Sequence, residues 1–260
     1  MDKKIIELFK LYLHYISIPI RILIIFIIYF IAVFIAYILG DNYEIDTFIM
    51  ISTCKIIMHC LSINLIYEQD NLDIFNNYAN SDLKFIAIFN HTNLIEPFIL
   101  LSLFKKISYL LNYEIPSSIP FFNIVYKKLN YIYTKKGNTT ESIIKYTNNR
   151  KKGEGVLFIA PGGGKQSENP DENKITEFKS GAFIGLYPIL PIIIKYDDDS
   201  ADCNFDKGEH FLHGFFKVFL KRNRNIKVKV LDLVTPEKNE TINDFKERVH
   251  NIMSIEYKIL

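Results

Sequence analysis

A chain of 260 residues, 49% hydrophobic and 14% aromatic, can bury one sizeable core with a segment to spare, which excludes a disordered protein and a repeat array. A formal net charge of +2, from 31 Lys and Arg against 29 Asp and Glu, excludes whole-chain electrostatic attraction to nucleic acid. Three cysteines, Cys54, Cys60 and Cys203, are too few and too irregularly spaced for a disulfide framework or a four-ligand zinc site.

The first element is apolar. From Ile22 to Leu39 every residue is Ile, Leu, Val, Ala, Phe or Tyr, an uncharged run long enough for a spanning helix and longer than the apolar region of a cleaved signal. The residues before it carry apolar side chains at helical spacing with basic ones between, either a membrane-surface helix or an extension of the span. Lys3, Lys4, Lys10 and Arg21 precede the run while Asp41, Glu44 and Asp46 follow it, which places the N-terminus in the cytoplasm and, if the run is a lone span, the rest of the chain on the other side. A second, weaker apolar stretch runs from Phe48 to Ile66, interrupted by Lys55, His59 and Asn64. It is a return span, a re-entrant hairpin or an interfacial helix, and a hairpin or monotopic arrangement fits the interruptions best. Residues 1–66 are therefore expected to anchor the chain to a lipid bilayer, and residues 67–260 to form the folded domain.

After Tyr67 short β-rich runs alternate with helical patterns punctuated by Asn, Gly or Pro, an α/β layout. The strands are expected at Phe85–Phe89, Tyr131–Thr134, Val156–Ile159, Ile189–Ile194 and Ile226–Leu233. Helices are expected near Pro97–Lys106, Thr140–Lys152, Lys179–Leu186 and Thr241–Tyr257. The polar loop from Gly164 to Thr176, after a triple glycine, is the one long connection that stands out.

Two constellations carry chemistry. In FNHTNLIEPF an apolar run delivers Asn90 and His91 to a strand end, where α/β folds build their sites, and Pro97 opens a helix. A histidine there can serve as general base, with Glu96 holding its other ring nitrogen and stabilising the imidazolium; a structural histidine is the bland alternative. In VLFIAPGGGKQSEN a strand meets Pro161, Gly162, Gly163, Gly164 and Lys165. Consecutive glycines let backbone amides approach an anion or a developing oxyanion. A nucleotide P-loop fails here, because its first Gly and its Ser or Thr fall on Ile159 and Gln166.

The remaining features have plain readings. His210 and His213, near Asp202 and Cys203, share a helical face without making a metal site, so no metal is expected. The stretch from Phe211 to Lys229 mixes aromatics with Lys217, Lys221, Arg222 and Arg224 and carries no acid, which suits either an interfacial patch against anionic lipid or a core helix with a basic turn. Asp197–Asp199 reads as a solvated loop.

Taken in order, these blocks resemble the glycerolipid acyltransferases typified by lysophosphatidic acid acyltransferase. That family's Asn-His-x4-Asp is matched by Asn90, His91 and Glu96, with Glu for Asp. Its strand ending in Arg resembles LNYIYTKKG, with Lys135 in the Arg position. Its Pro-Glu-Gly-Thr-Arg aligns on Pro161 to Lys165, with Gly162 for the acid and Lys165 for Arg. FKSGAF from Phe178 and LPIII from Leu190 follow at the expected places, and the Pro-Gly-Gly core is also similar to the neutral-lipid branch. The resemblance implies a mixed sheet flanked by helices behind an N-terminal membrane helix or hairpin.

The resemblance also implies an activity: transfer of a fatty acyl group from acyl-CoA to a glycerolipid hydroxyl, with lysophosphatidate, a monoacylglycerol or another lipid alcohol as acceptor. His91 would be the base and Glu96 its orienting carboxylate. Asn90, Lys135, Pro161, Gly162, Gly163, Gly164 and Lys165 would line the substrate. Acyl-CoA enters as co-substrate, with no cofactor and no nucleic acid involved. The expected place is a membrane, the endoplasmic reticulum in a eukaryote, with the active site on the cytoplasmic side. A protein of the same fold that binds lipid without turning it over is the alternative.

Overall fold

The computed structural model describes residues 3–39, 42–91, 93, 95–112, 132–134, 139–162, 175–196, 218–220 and 224–260. The chain opens on α1 (Lys3–Ile38), continuous through Pro19 and about 54 Å long at 1.5 Å per residue. The sequence left two readings for the stretch before Ile22, and the helix runs through both as one element. Among the described residues it is the one helix long and apolar enough to cross a membrane, over Leu8–Ile38, and most of its apolar side chains face outward.

A short turn leads into α2 (Tyr43–Cys60), where the Asn42 side chain accepts the amides of Glu44 and Ile45, and Glu44 and Asp46 complement the helix dipole. α2 packs between α1 and α4 (Glu96–Leu103), burying Met50, Cys54, Ile57 and Met58 at helical spacing. The second apolar stretch is thus mostly a core helix, with Lys55 and His59 exposed. Its last residues form β1 (Ile63–Ile66), so a strand of the sheet lies within the segment expected to serve as anchor. Polar contacts tie α1 down here. Arg21 donates to the Cys60 carbonyl, the Ser62 hydroxyl and His14 Nδ1, and His14 Nε2–H donates to the Phe219 carbonyl.

The sheet has seven strands in the order β1, β7, β6, β2, β5, β3, β4. They are β2 (Ile86–Phe89), β3 (Ile107–Asn112), β4 (Ile132–Thr134), β5 (Val156–Ile159), β6 (Ile189–Tyr196) and β7 (Arg224–Val230). From β6 to β4 all neighbours are parallel, whereas β7 runs antiparallel to β6 and parallel to β1. This is the mixed, helix-flanked sheet that the family resemblance implies. β2 and β5 are buried throughout and read as unbroken apolar runs, as parallel strands covered on both faces must. β7 buries alternate residues and leaves Asn225 exposed, the pattern of a strand with one wetter face.

Alternate strand residues feed two cores. Ala87, Phe89, Phe158, Ile192 and Ile194 pack with α1 to α4, including α3 (Gln69–Ala79), which contributes Leu72, Phe75 and Ala79. Ile86, Ile88, Leu157, Ile159 and Ile193 pack on the other face against α5 (Thr139–Asn149) and α6 (Ile242–Ile259), whose Phe245, Val249 and Met253 recur every four residues. Behind the sheet, buried Arg150 donates to the carbonyls of Ala79 and Leu83 and lies over the Phe85 ring, a cation placed where the α3 dipole is negative. The helix expected over 179–186 is instead a single 3₁₀ turn at Ser180–Phe183.

Candidate functional site

Parallel strands β6, β2 and β5 end side by side, and their carboxyl ends carry the polar residues that the sequence singles out. β2 stops at Phe89 because Asn90 leaves the pleat and replaces the next ladder bonds with its side chain. Asn90 Nδ2 donates to the Ile194 carbonyl at 2.7 Å, and the Ile194 amide donates to Asn90 Oδ1 at 2.8 Å. Asn90, expected on the substrate side, is buried with both ends of its amide on β6. Asn90→Ala strands the Ile194 amide and carbonyl in a buried strand; the expected loss is about 2 to 4 kcal/mol, read as a shift of the denaturant midpoint.

His91 follows immediately, partly exposed, with its ring edge-on to Phe89 at 5.7 Å. The chain then turns: Asn93 is buried, its Oδ1 accepts the Ile95 amide, and its carbonyl accepts the Glu96 amide. That turn sets Glu96 as the first residue of α4, with Pro97 next, where a missing N–H costs nothing. The geometry brings Glu96 Oε2 within 2.6 Å of His91 Nδ1. The Glu96 side chain is wholly shielded from solvent, and its other oxygen accepts the Tyr196 hydroxyl at 3.2 Å. A buried carboxylate is tolerable here because two donors and the positive end of α4 offset its desolvation. Burial, and then the Glu96 charge, raises the Tyr257 phenol above its usual range, so Tyr257 stays protonated.

An Nδ1–H donated to Glu96 leaves Nε2 as the basic nitrogen, the tautomer required to take a proton from a hydroxyl. Residue 162 lies level with His91 when the pairing of Ile88 with Ile159 is continued past the strand ends. Pro161 is buried and its carbonyl accepts the Lys179 amide at 2.9 Å, so the FKSGAF segment, with Phe178 stacked on Phe183 and edge-on to His250, braces the turn after β5. A β-carbon on Gly162 would stand 3.2 Å from Thr176 Cβ, so a larger residue there needs Thr176 to give way. Lys135, Gly163, Gly164 and Lys165 lie outside the described residues, as do His210, His213, Asp202, Cys203 and Asp197–Asp199. Among the described residues no group of three His, Cys, Asp or Glu side chains could hold a metal ion.

The structure therefore brings together His91, Glu96, Asn90, Pro161 and Gly162 at one end of the sheet. Tyr196 joins them unforeseen. Its sequence signal is a polar-tipped aromatic closing the apolar run of a strand, which identifies no partner by itself.

Residues 72–195 match the family model described as Acyltransferase. No curated protein matches the chain. Among solved structures, the fold is similar to the crystal structure of the 1-acyl-sn-glycerophosphate (LPA) acyltransferase, PlsC, from Thermotoga maritima. The TM-score is 0.65 at 17% identity, over 99% of this chain and 97% of that one.

Proposed function

We propose, from the premise that residues 72–195 form an acyltransferase-family domain, that this chain moves a fatty acyl group from acyl-CoA to the hydroxyl of a membrane glycerolipid such as lysophosphatidate. The observation that carries this reading is the 2.6 Å pairing of His91 Nδ1 with a buried Glu96 at the carboxyl end of β2. His91 Nε2 takes the acceptor's hydroxyl proton as that oxygen attacks the thioester carbonyl. The tetrahedral adduct collapses to the new ester, and the thiolate of coenzyme A leaves with the proton from the imidazolium. Glu96 holds the ring through both steps and favours its charged form.

Backbone amides after Pro161 suit the oxyanion, and Lys135 and Lys165 suit an acceptor phosphate, each as a point charge rather than a two-pronged grip. The outward apolar side chains of α1 support anchorage at a bilayer. Because acyl-CoA is a cytosolic donor, the site belongs on the cytoplasmic face, which with a cytoplasmic N-terminus requires α1 to lie in one leaflet rather than cross the bilayer. The Pro161-Gly162-Gly163 core, similar to that of the neutral-lipid branch, and lysines where the family has Arg favour a second acceptor class, an uncharged acylglycerol, within the same reaction.

Labelled acyl-CoA offered to membranes carrying the protein, with lysophosphatidate, other lysophospholipids and monoacylglycerol in parallel, separates the cases. Product from the lysophospholipids alone supports the phosphate-bearing acceptor, and product from monoacylglycerol supports the uncharged one. No product from any of them refutes the reading.

A further inference from the structure

We propose that Tyr196 is a positioning residue for the His91–Glu96 pair, locking the longer carboxylate so that one oxygen stays on His91. The inference rests on the acyltransferase reading and deepens it. Its starting point is a mismatch of length: Glu carries one more methylene than Asp, hence one more rotor, and the last torsion of a Glu side chain is broad rather than sharply staggered. A carboxylate on such a tether holds an imidazole in one orientation only if its second oxygen is also held.

The fold supplies that hold from β6. The Tyr196 hydroxyl donates to Glu96 Oε1 at 3.2 Å while Oε2 takes His91 Nδ1 at 2.6 Å, so each oxygen has a donor of its own. Both Glu96 and Tyr196 are buried, so the bond forms where water does not compete for the carboxylate. Two residues earlier on the same face of β6, Ile194 grips the Asn90 amide. One strand therefore fixes both the residue that precedes the base and the carboxylate that orients it. A contact 100 residues apart in the chain thus completes a local motif six residues long.

Tyr196→Phe removes one oxygen and keeps the ring in the core. Its expected effect is a fall in kcat of about 10-fold with KM within about 2-fold, since the substrate contacts stay in place and only the base loses its orientation. In a Glu96→Asp background the shortened carboxylate that keeps His91 no longer reaches Tyr196. There the same substitution should cost less than about 2-fold, so the two changes are strongly non-additive. A purely structural tyrosine would instead cost the same in both backgrounds, and that result, or a kcat unchanged by Tyr196→Phe, overturns the proposal. The low-field proton resonance of His91 Nδ1–H, assigned by its loss in His91→Ala, gives a readout that needs no turnover. It should move or broaden in Tyr196→Phe, and an unmoved resonance overturns the proposal. Should the unaltered protein transfer no acyl group, the acyltransferase reading fails by itself, and the resonance still decides whether Tyr196 orders the pair.

Discussion

Replacing His91 with alanine is expected to lower acyl transfer by about 10³-fold, the loss typical of removing a positioned general base. Among the described residues at the end of β2 no other group is placed to take the acceptor's hydroxyl proton on the proposed mechanism, because Glu96 is shielded from solvent and already accepts Tyr196. Alanine also leaves a buried carboxylate short of one donor, so some stability is lost with the base. His91→Asn separates the two effects. Its amide nitrogen stands near the Nδ1 position and can still donate to Glu96, but it offers no basic nitrogen. Turnover should fall as far as in His91→Ala while the unfolding midpoint stays closer to that of the unaltered protein. Kinetics and chemical denaturation on both variants check this, and a turnover retained in either would remove His91 from the chemistry.

The second large effect is on the core beneath the site. Phe158 on β5 is almost wholly buried, with the rings of Phe75, Phe104 and Tyr109 centred within 6 Å of its own and that of Phe89 at 6.5 Å. Phe158→Ala opens a cavity among four aromatic side chains, from α3, β2, β3 and the residue that caps α4, and the expected loss is about 3 to 5 kcal/mol. Phe158→Leu fills most of that space and should lose about 1 to 2 kcal/mol. Because Phe89 rests on this cluster and His91 rests on Phe89, activity should decline with the cavity rather than with the polar site. Denaturant midpoints of the two variants order the effects, and equal midpoints would show that the cluster collapses around the gap.

Much of this architecture is legible residue by residue, and the parts that are not share a cause. β5 falls on the expected Val156–Ile159, because a buried parallel strand is a continuous apolar run between polar turns. His91 and Glu96 are visible because the strand-to-helix turn that joins them spans five residues. β1 is hidden since Ile63–Ile66 continues an apolar helix and is too short to show its own period. α3 is hidden by its Asn-rich sequence, in which Leu72, Phe75 and Ala79 are the only fully buried apolar side chains. β3 is hidden because Ile107 follows directly on the stretch read as a helix. Pairings across the sheet are invisible in any local reading. Asn90 reads as a substrate group until Ile194 is placed beside it, and Tyr196 reads as nothing until Glu96 is.

On the proposed function the paired His91 and Glu96 carry acyl transfer to a lipid hydroxyl. The most direct measurement follows labelled acyl-CoA and released thiol together, in membranes carrying the unaltered protein and in membranes carrying His91→Asn. The unaltered protein is expected to make one acylated lipid per thiol released, and His91→Asn to lose both signals. Thiol release that persists in His91→Asn, or that is not matched by acylated lipid, would contradict the proposed function.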